Sequence, residues 1–194
     1  MLRPAETFVW SDGLPTEVKT TVAEFIRRRK ELKNTEEEIG RWSPVDRDSL
    51  GEGIFNWSTK MVTTLKSNSC VLLPEARDVM AVVLVGSCLE EGNLTPRDVD
   101  LCFVYDNPPA PVRTDMHGFC FFASKIQGRV VDAYVAGIKF DPNNLSRDEA
   151  IPWVVRPHKV ICAPNLSLEQ YQTAKRDVVD WLFKHPTEVE ERIK

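Results

Sequence analysis

Val79-Met80-Ala81-Val82-Val83-Leu84-Val85-Gly86-Ser87, then ten residues, then Asp98-Val99-Asp100-Leu101-Cys102-Phe103-Val104-Tyr105, is the stretch that decides how this chain folds. Val79 to Val85 is an unbroken aliphatic run of the length of a buried strand, and Gly86 ends it with a residue free to turn. Leu101 to Tyr105 repeats the pattern, so the segment reads as strand, glycine turn, surface excursion, strand. Side chains alternate across a strand, which puts Asp98 and Asp100 on one face and Val99 and Leu101 on the other. Two carboxylates side by side at the start of a buried strand repel each other and lose hydration. A divalent cation removes both costs. Magnesium suits the pair, being a hard ion that takes one or two protein carboxylates and fills its shell with water and phosphate oxygens.

A second ion needs a third carboxylate, and Asp132 is the best candidate, a lone acid in Gly128-Arg129-Val130-Val131-Asp132-Ala133-Tyr134-Val135. Phe119 to Ala123 and Arg129 to Val135 read as two strands, with a turn near Gln127-Gly128. With that pair beside the Asp98 strand, Asp132 faces the same cleft. Two ions about 3.5–4 Å apart then clamp the attacking and leaving oxygens of an in-line displacement.

This arrangement resembles the nucleotidyltransferases of the DNA polymerase beta type. Their signature is an apolar residue, Gly-Ser or Gly-Gly, nine to thirteen residues, then acid-apolar-acid-apolar, with a third acid on a later strand. Val85-Gly86-Ser87, the ten-residue gap, Asp98-Val99-Asp100-Leu101 and Asp132 follow it. The likeness runs from about Val79 to Lys194, with Ile151 to Lys194 supplying a helical segment, a short strand and a closing helix. It implies an α/β (α+β) nucleotidyltransferase fold, a small mixed twisted sheet with flanking helices and the metal cleft at the strand ends. It also implies an enzyme that moves a nucleoside monophosphate from an NTP, such as ATP, to an acceptor hydroxyl and releases pyrophosphate. In that scheme Gly86 and Ser87 bind the triphosphate, while Asp98, Asp100 and Asp132 hold two magnesium ions. Asp132 lies nearest the acceptor and assists its deprotonation.

One departure from the family concerns charge. Minimal members often carry Arg or Lys after Gly-Ser, whereas this chain has Cys88-Leu89-Glu90-Glu91, with Gly92 one place late. Either these acids point outward, or nucleotide binding is weakened and the cation for the phosphates comes from elsewhere, such as Arg97, Arg129 or Lys159. The fold alone does not choose the acceptor, because members of this superfamily modify antibiotics, extend RNA 3′ ends, make second messengers or attach AMP to proteins. The short region after the site leaves little room for a large acceptor domain, which favours a small molecule, a partner protein or an RNA 3′ end. A reading of a different class is an inert module of the same fold that binds a partner, as in a toxin–antitoxin pair or a phage–host conflict. The three acids speak against it.

The remainder bounds the picture. The chain has 194 residues and a formal charge of −4, which disfavours a long nucleic-acid footprint. It divides into a helical N-terminal extension, 1–70, and a nucleotidyltransferase domain, 71–194. The five cysteines lack metal-ligand spacing and read as reduced thiols, and the three histidines read as structural or surface residues. No membrane span or secretion signal is expected, so the cytoplasm is the default location. Pro15 to Lys33 reads as a helix with Val18, Val22, Phe25 and Leu32 inward. Its Arg27-Arg28-Arg29-Lys30 cluster is a solvated face or an anion-binding one. Thr35-Glu36-Glu37-Glu38 looks like a capping box, Arg41 to Gly53 a loop, and Asn56 to Lys66 a helix. Trp10, Trp42 and Trp57 read as packing residues, with Trp42 a candidate cover for a nucleotide. Ser167 caps a final helix to Lys184 with Leu168, Tyr171, Ala174, Val178 and Trp181 along one stripe.

Overall fold

The computed structural model describes residues 8–33, 52–53, 56, 79–89, 96, 98–107, 125–144 and 151–193. Helix α1 spans Thr16–Lys33, and Val18, Val22 and Phe25 are buried along it as the periodicity requires. The strands are β1 (Val79–Val85), β2 (Asp98–Tyr105), β3 (Lys125–Ile126), β4 (Arg129–Gly137) and β5 (Lys159–Cys162). Helices α2 (Leu168–Lys184) and α3 (Pro186–Ile193) close the chain. The expected Phe119 to Ala123 strand and the Thr35 helix start lie outside the described residues, as does Trp42.

The sheet is mixed and five-stranded, in the order β3-β4-β2-β1-β5. Among the described strands the central β2–β4 pair is parallel, β1 runs antiparallel to both β2 and β5, and β3 runs antiparallel to β4. The β3–β4 turn falls on Gln127-Gly128, with φ of 50° and 78°. Two successive positive φ values match the twist of the strands they join, which a glycine supplies without strain.

Each face of the sheet carries its own apolar cluster. On one face Met80, Val83, Val85, Cys102 and Val104 pack with Val18, Val22 and Phe25 of α1 and Tyr171, Ala174 and Val178 of α2. On the other, Val82, Leu84, Val99, Leu101, Phe103 and Val131 join Ile126. Strands buried on both faces read as continuous apolar runs rather than alternating ones, which is why β1 looks as it does. The described part of the N-terminal extension therefore shares the core of the sheet. Lys175 of α2 fastens it there: its Nζ donates to the carbonyls of Val9 (2.8 Å) and Asp12 (3.1 Å) and stands 4.6 Å over the Tyr171 ring.

Two local details differ from the sequence reading. Glu52 and Gly53, read as loop, are helical. A Cβ on Gly53 would stand 3.3 Å from Ile126 Cγ2, so the glycine lets this turn approach β3. The chain also does not end its helical structure at Lys184. Pro186 disfavours helix at His185, which has φ of −130°, and then opens α3, where its missing N–H costs nothing. The cap of α2 is as expected and is reciprocal, Gln170 N–H donating to Ser167 Oγ and Ser167 N–H to Gln170 Oε1. Among the described residues no helix is long and apolar enough to cross a membrane.

Candidate functional site

The site is built at the end of the sheet where β1 stops and β2 begins. Gly86 leaves β1 with φ of 75° and opens a short 3-10 turn, Gly86–Leu89. Cys88 is buried beneath that turn, and its thiol donates to the Asp98 carbonyl at 3.2 Å, tying the turn to the first residue of β2. Register puts Val85 opposite Asp100 across β1 and β2. A Cβ on Gly86 would stand 2.9 Å from Asp100 Cγ and nearer still to Oδ2. The Asp100 carboxylate is thus seated against the Gly86 backbone, in space that any side chain at position 86 would take.

Along β2 the burial pattern alternates at this end: Asp98 and Asp100 are half-buried, Val99 and Leu101 fully buried. The two aspartates lie on the helix-covered face, continuing the row of Cys102 and Val104. Parallel pairing aligns Asp100 with Asp132, Cys102 with Tyr134 and Val104 with Ala136. Tyr134 and Ala136 pack on the cluster of Cys102 and Val104, so position 132 belongs by alternation to the face that carries Asp98 and Asp100. The Asp132 side chain itself lies outside the described ones. Among the described residues no three His, Cys, Asp or Glu side chains form a metal-holding group. The donor chemistry of Asp98 and Asp100 is nonetheless that of hard-cation ligands, oxygen only and adjacent.

The candidate cations are placed differently from one another. Arg97, like Glu90, Glu91 and Gly92, lies outside the described residues. Arg129 is 1% exposed, with Nε donating to Pro96 O at 2.6 Å and Nη1 to Gln127 O at 3.0 Å. It pins the segment entering β2 to the β3–β4 turn. Lys159 is exposed at the start of β5, in register with Leu84. On α1, Arg27 and Arg28 both bind Glu24, each at 2.6 Å at closest, and Arg27 also binds Glu31. Those hydrogen bonds, Arg27 first, hold the Glu24 carboxyl down to about 2, while the side chains of Arg29 and Lys30 lie outside the described ones.

Two residues not singled out as site candidates from the sequence belong to the same face. Arg156, just before β5, donates from Nη2 to the Tyr134 hydroxyl at 3.1 Å. Its Nε is buried and has no acceptor among the described residues. Nothing in the local sequence of either residue marks the pair, because 22 positions separate them.

His158 is structural. Its Nδ1 lies 2.7 Å from Arg156 O, which can only accept, so the ring donates there and its Nε2 accepts from the Tyr171 hydroxyl at 2.8 Å. Burial, reinforced by the nearby Lys175 and Arg156 charges, pushes its pKa down to about 4 and keeps the ring neutral. Trp153 closes over it edge-on, with ring centroids 5.1 Å apart. Among the described residues Cys88, Cys102 and Cys162 form no disulfide, and burial pushes the Cys162 thiol up from its ordinary value.

Comparison with protein-family models, with curated proteins and with solved structures returns no match. The functional reading therefore rests on the residues and their geometry.

Proposed function

We propose that this chain is a metal-dependent nucleotidyltransferase of the polymerase beta type, transferring a nucleoside monophosphate from an NTP to an acceptor hydroxyl. The observation that carries the proposal is the seating of the Asp100 carboxylate against Gly86, with Asp98 on the same face and position 132 in register beside it. The turn, the acid pair and position 132, spread over 47 positions of sequence from Gly86 to Asp132, lie at one end of one sheet by strand register. Neither half of the signature alone, a Gly-Ser turn or an Asp-x-Asp strand, carries that weight.

Asp98, Asp100 and Asp132 would hold the two magnesium ions, whose bound charge stabilises the transferred and departing phosphates. The chain's own part is positional. The missing side chain at Gly86 leaves room for the Asp100 carboxylate beside the turn, and the backbone N–H groups of Gly86–Leu89 would be the donors to a phosphate. The rigid strand pair β1–β2 holds the carboxylates at a fixed spacing, so that little reorganisation is needed when charge develops. The acceptor, whether small molecule, RNA 3′ end or protein, would approach from the β4 side, where Asp132 could take its proton.

Incubation with labelled ATP, GTP, CTP or UTP in cell extract, followed by separation into protein, RNA and small-molecule pools, tests the activity and names the acceptor class. Asp98→Ala and Asp100→Ala should abolish labelling while leaving the thermal melt intact, since each removes a ligand and relieves carboxylate repulsion. Labelling at wild-type rates by either variant would refute the mechanism. An absence of magnesium-dependent NTP binding in calorimetry would favour the inert binding module instead.

A further inference from the structure

We infer that Arg156 is the phosphate-binding cation of this site, receiving anionic oxygens of the nucleotide over the aspartate end of the sheet. Two placements argue for it independently. The first is register: β5 runs antiparallel to β1 with Lys159 opposite Leu84, so residues preceding Lys159 emerge beside Val85 and Gly86. The second is contact: Arg156 Nη2 reaches the hydroxyl of Tyr134, on β4. The strands between β5 and β4 are β1 and β2, so the Arg156–Tyr134 contact spans the sheet face that carries Val85, Asp100 and Cys102. Val155 and Tyr134 both pack on the helix-covered cluster, which fixes which face this is.

Chemistry then says what the guanidinium is for. Its Nε–H is buried with no acceptor among the described residues, and a buried donor without an acceptor costs free energy that a bound anion recovers. The planar fork of an arginine binds phosphate oxygens in pairs, and the Tyr134 hydroxyl holds one arm of that fork in place. The site also needs a cation here, because the Gly86–Leu89 turn carries none and is followed by Glu90 and Glu91. Arg129, which is itself buried, already binds the Pro96 and Gln127 carbonyls. Only the identity of the anion rests on the nucleotidyltransferase reading; the anion site itself does not.

The test is calorimetric titration of the whole chain with inorganic tripolyphosphate and, separately, with adenosine, in magnesium. Arg156→Gln should weaken tripolyphosphate binding about 10- to 100-fold, the range for losing a charge-assisted hydrogen-bonded pair, and leave adenosine unchanged. Arg156→Lys keeps the charge and the aliphatic stem, so it guards against misfolding, and should bind about 10-fold weaker than wild type because the fork is lost. Tyr134→Phe should weaken tripolyphosphate binding by a few-fold and not adenosine. Equal tripolyphosphate affinity for Arg156→Gln and wild type overturns the inference, as does a wild-type protein that binds no tripolyphosphate. If wild type binds tripolyphosphate through Arg156 yet transfers no label from any NTP, the inference stands and the proposed function falls.

Discussion

Replacing Gly86 with alanine probes the junction of turn and carboxylate directly. Two costs should add. At φ of 75° an L residue pays steric strain of about 1–2 kcal/mol. The new methyl also meets Asp100, whose Cγ would be 2.9 Å away and whose Cβ 3.2 Å, so the carboxylate must swing aside at an overpacking cost of about 1–3 kcal/mol. Gly128→Ala separates the two, because Gly128 has φ of 78° and a methyl there would meet nothing within 4 Å. Urea denaturation without metal should therefore show a loss of about 1–2 kcal/mol for Gly128→Ala and about 2–5 kcal/mol for Gly86→Ala. In an Asp100→Ala background the excess should shrink, giving a coupling of about 1–3 kcal/mol in the double-mutant cycle. Magnesium-dependent NTP binding should be lost in Gly86→Ala and kept in Gly128→Ala. Equal stability losses at the two glycines, or no coupling to Asp100, would refute the seating of the carboxylate under the turn.

Two further outcomes follow from buried polar groups. Arg129→Met keeps the length of the side chain but leaves the Pro96 and Gln127 carbonyls without their donor, so the urea midpoint should fall by the equivalent of about 2–5 kcal/mol; unchanged stability with lost tripolyphosphate binding would assign Arg129 to the phosphates instead. His158 has a folded-state pKa of about 4 against 6.5 unfolded, so the stability it contributes is complete above pH 6.5 and is lost as pH falls toward 4. Between pH 6.5 and 5 the loss should reach about 2 kcal/mol, and His158→Gln should flatten that slope in urea titrations at stepped pH; an unaltered slope would refute the assignment.

What the chain's order of residues determined by itself was the local content of the site. The length of the aliphatic run makes β1, the glycine ends it, and alternation puts Asp98 and Asp100 on one face, because each of these depends on neighbours within a few positions. The capping box at Ser167 and the buried stripe of α2 were legible for the same reason. Charge roles were not. Arg129 reads from sequence as a candidate cation for the phosphates, and the structure shows it buried and bound to the backbone of two segments, one of them 33 positions away. Arg156 and Tyr134 carried no local signal at all. Their meeting depends on β5 joining the far edge of the sheet beside β1 while β4 joins beside β2, and strand order is set by which surfaces exclude water together, not by spacing along the chain. The acids were written in the sequence, and the meeting of Arg156 with Tyr134 was decided by the packing.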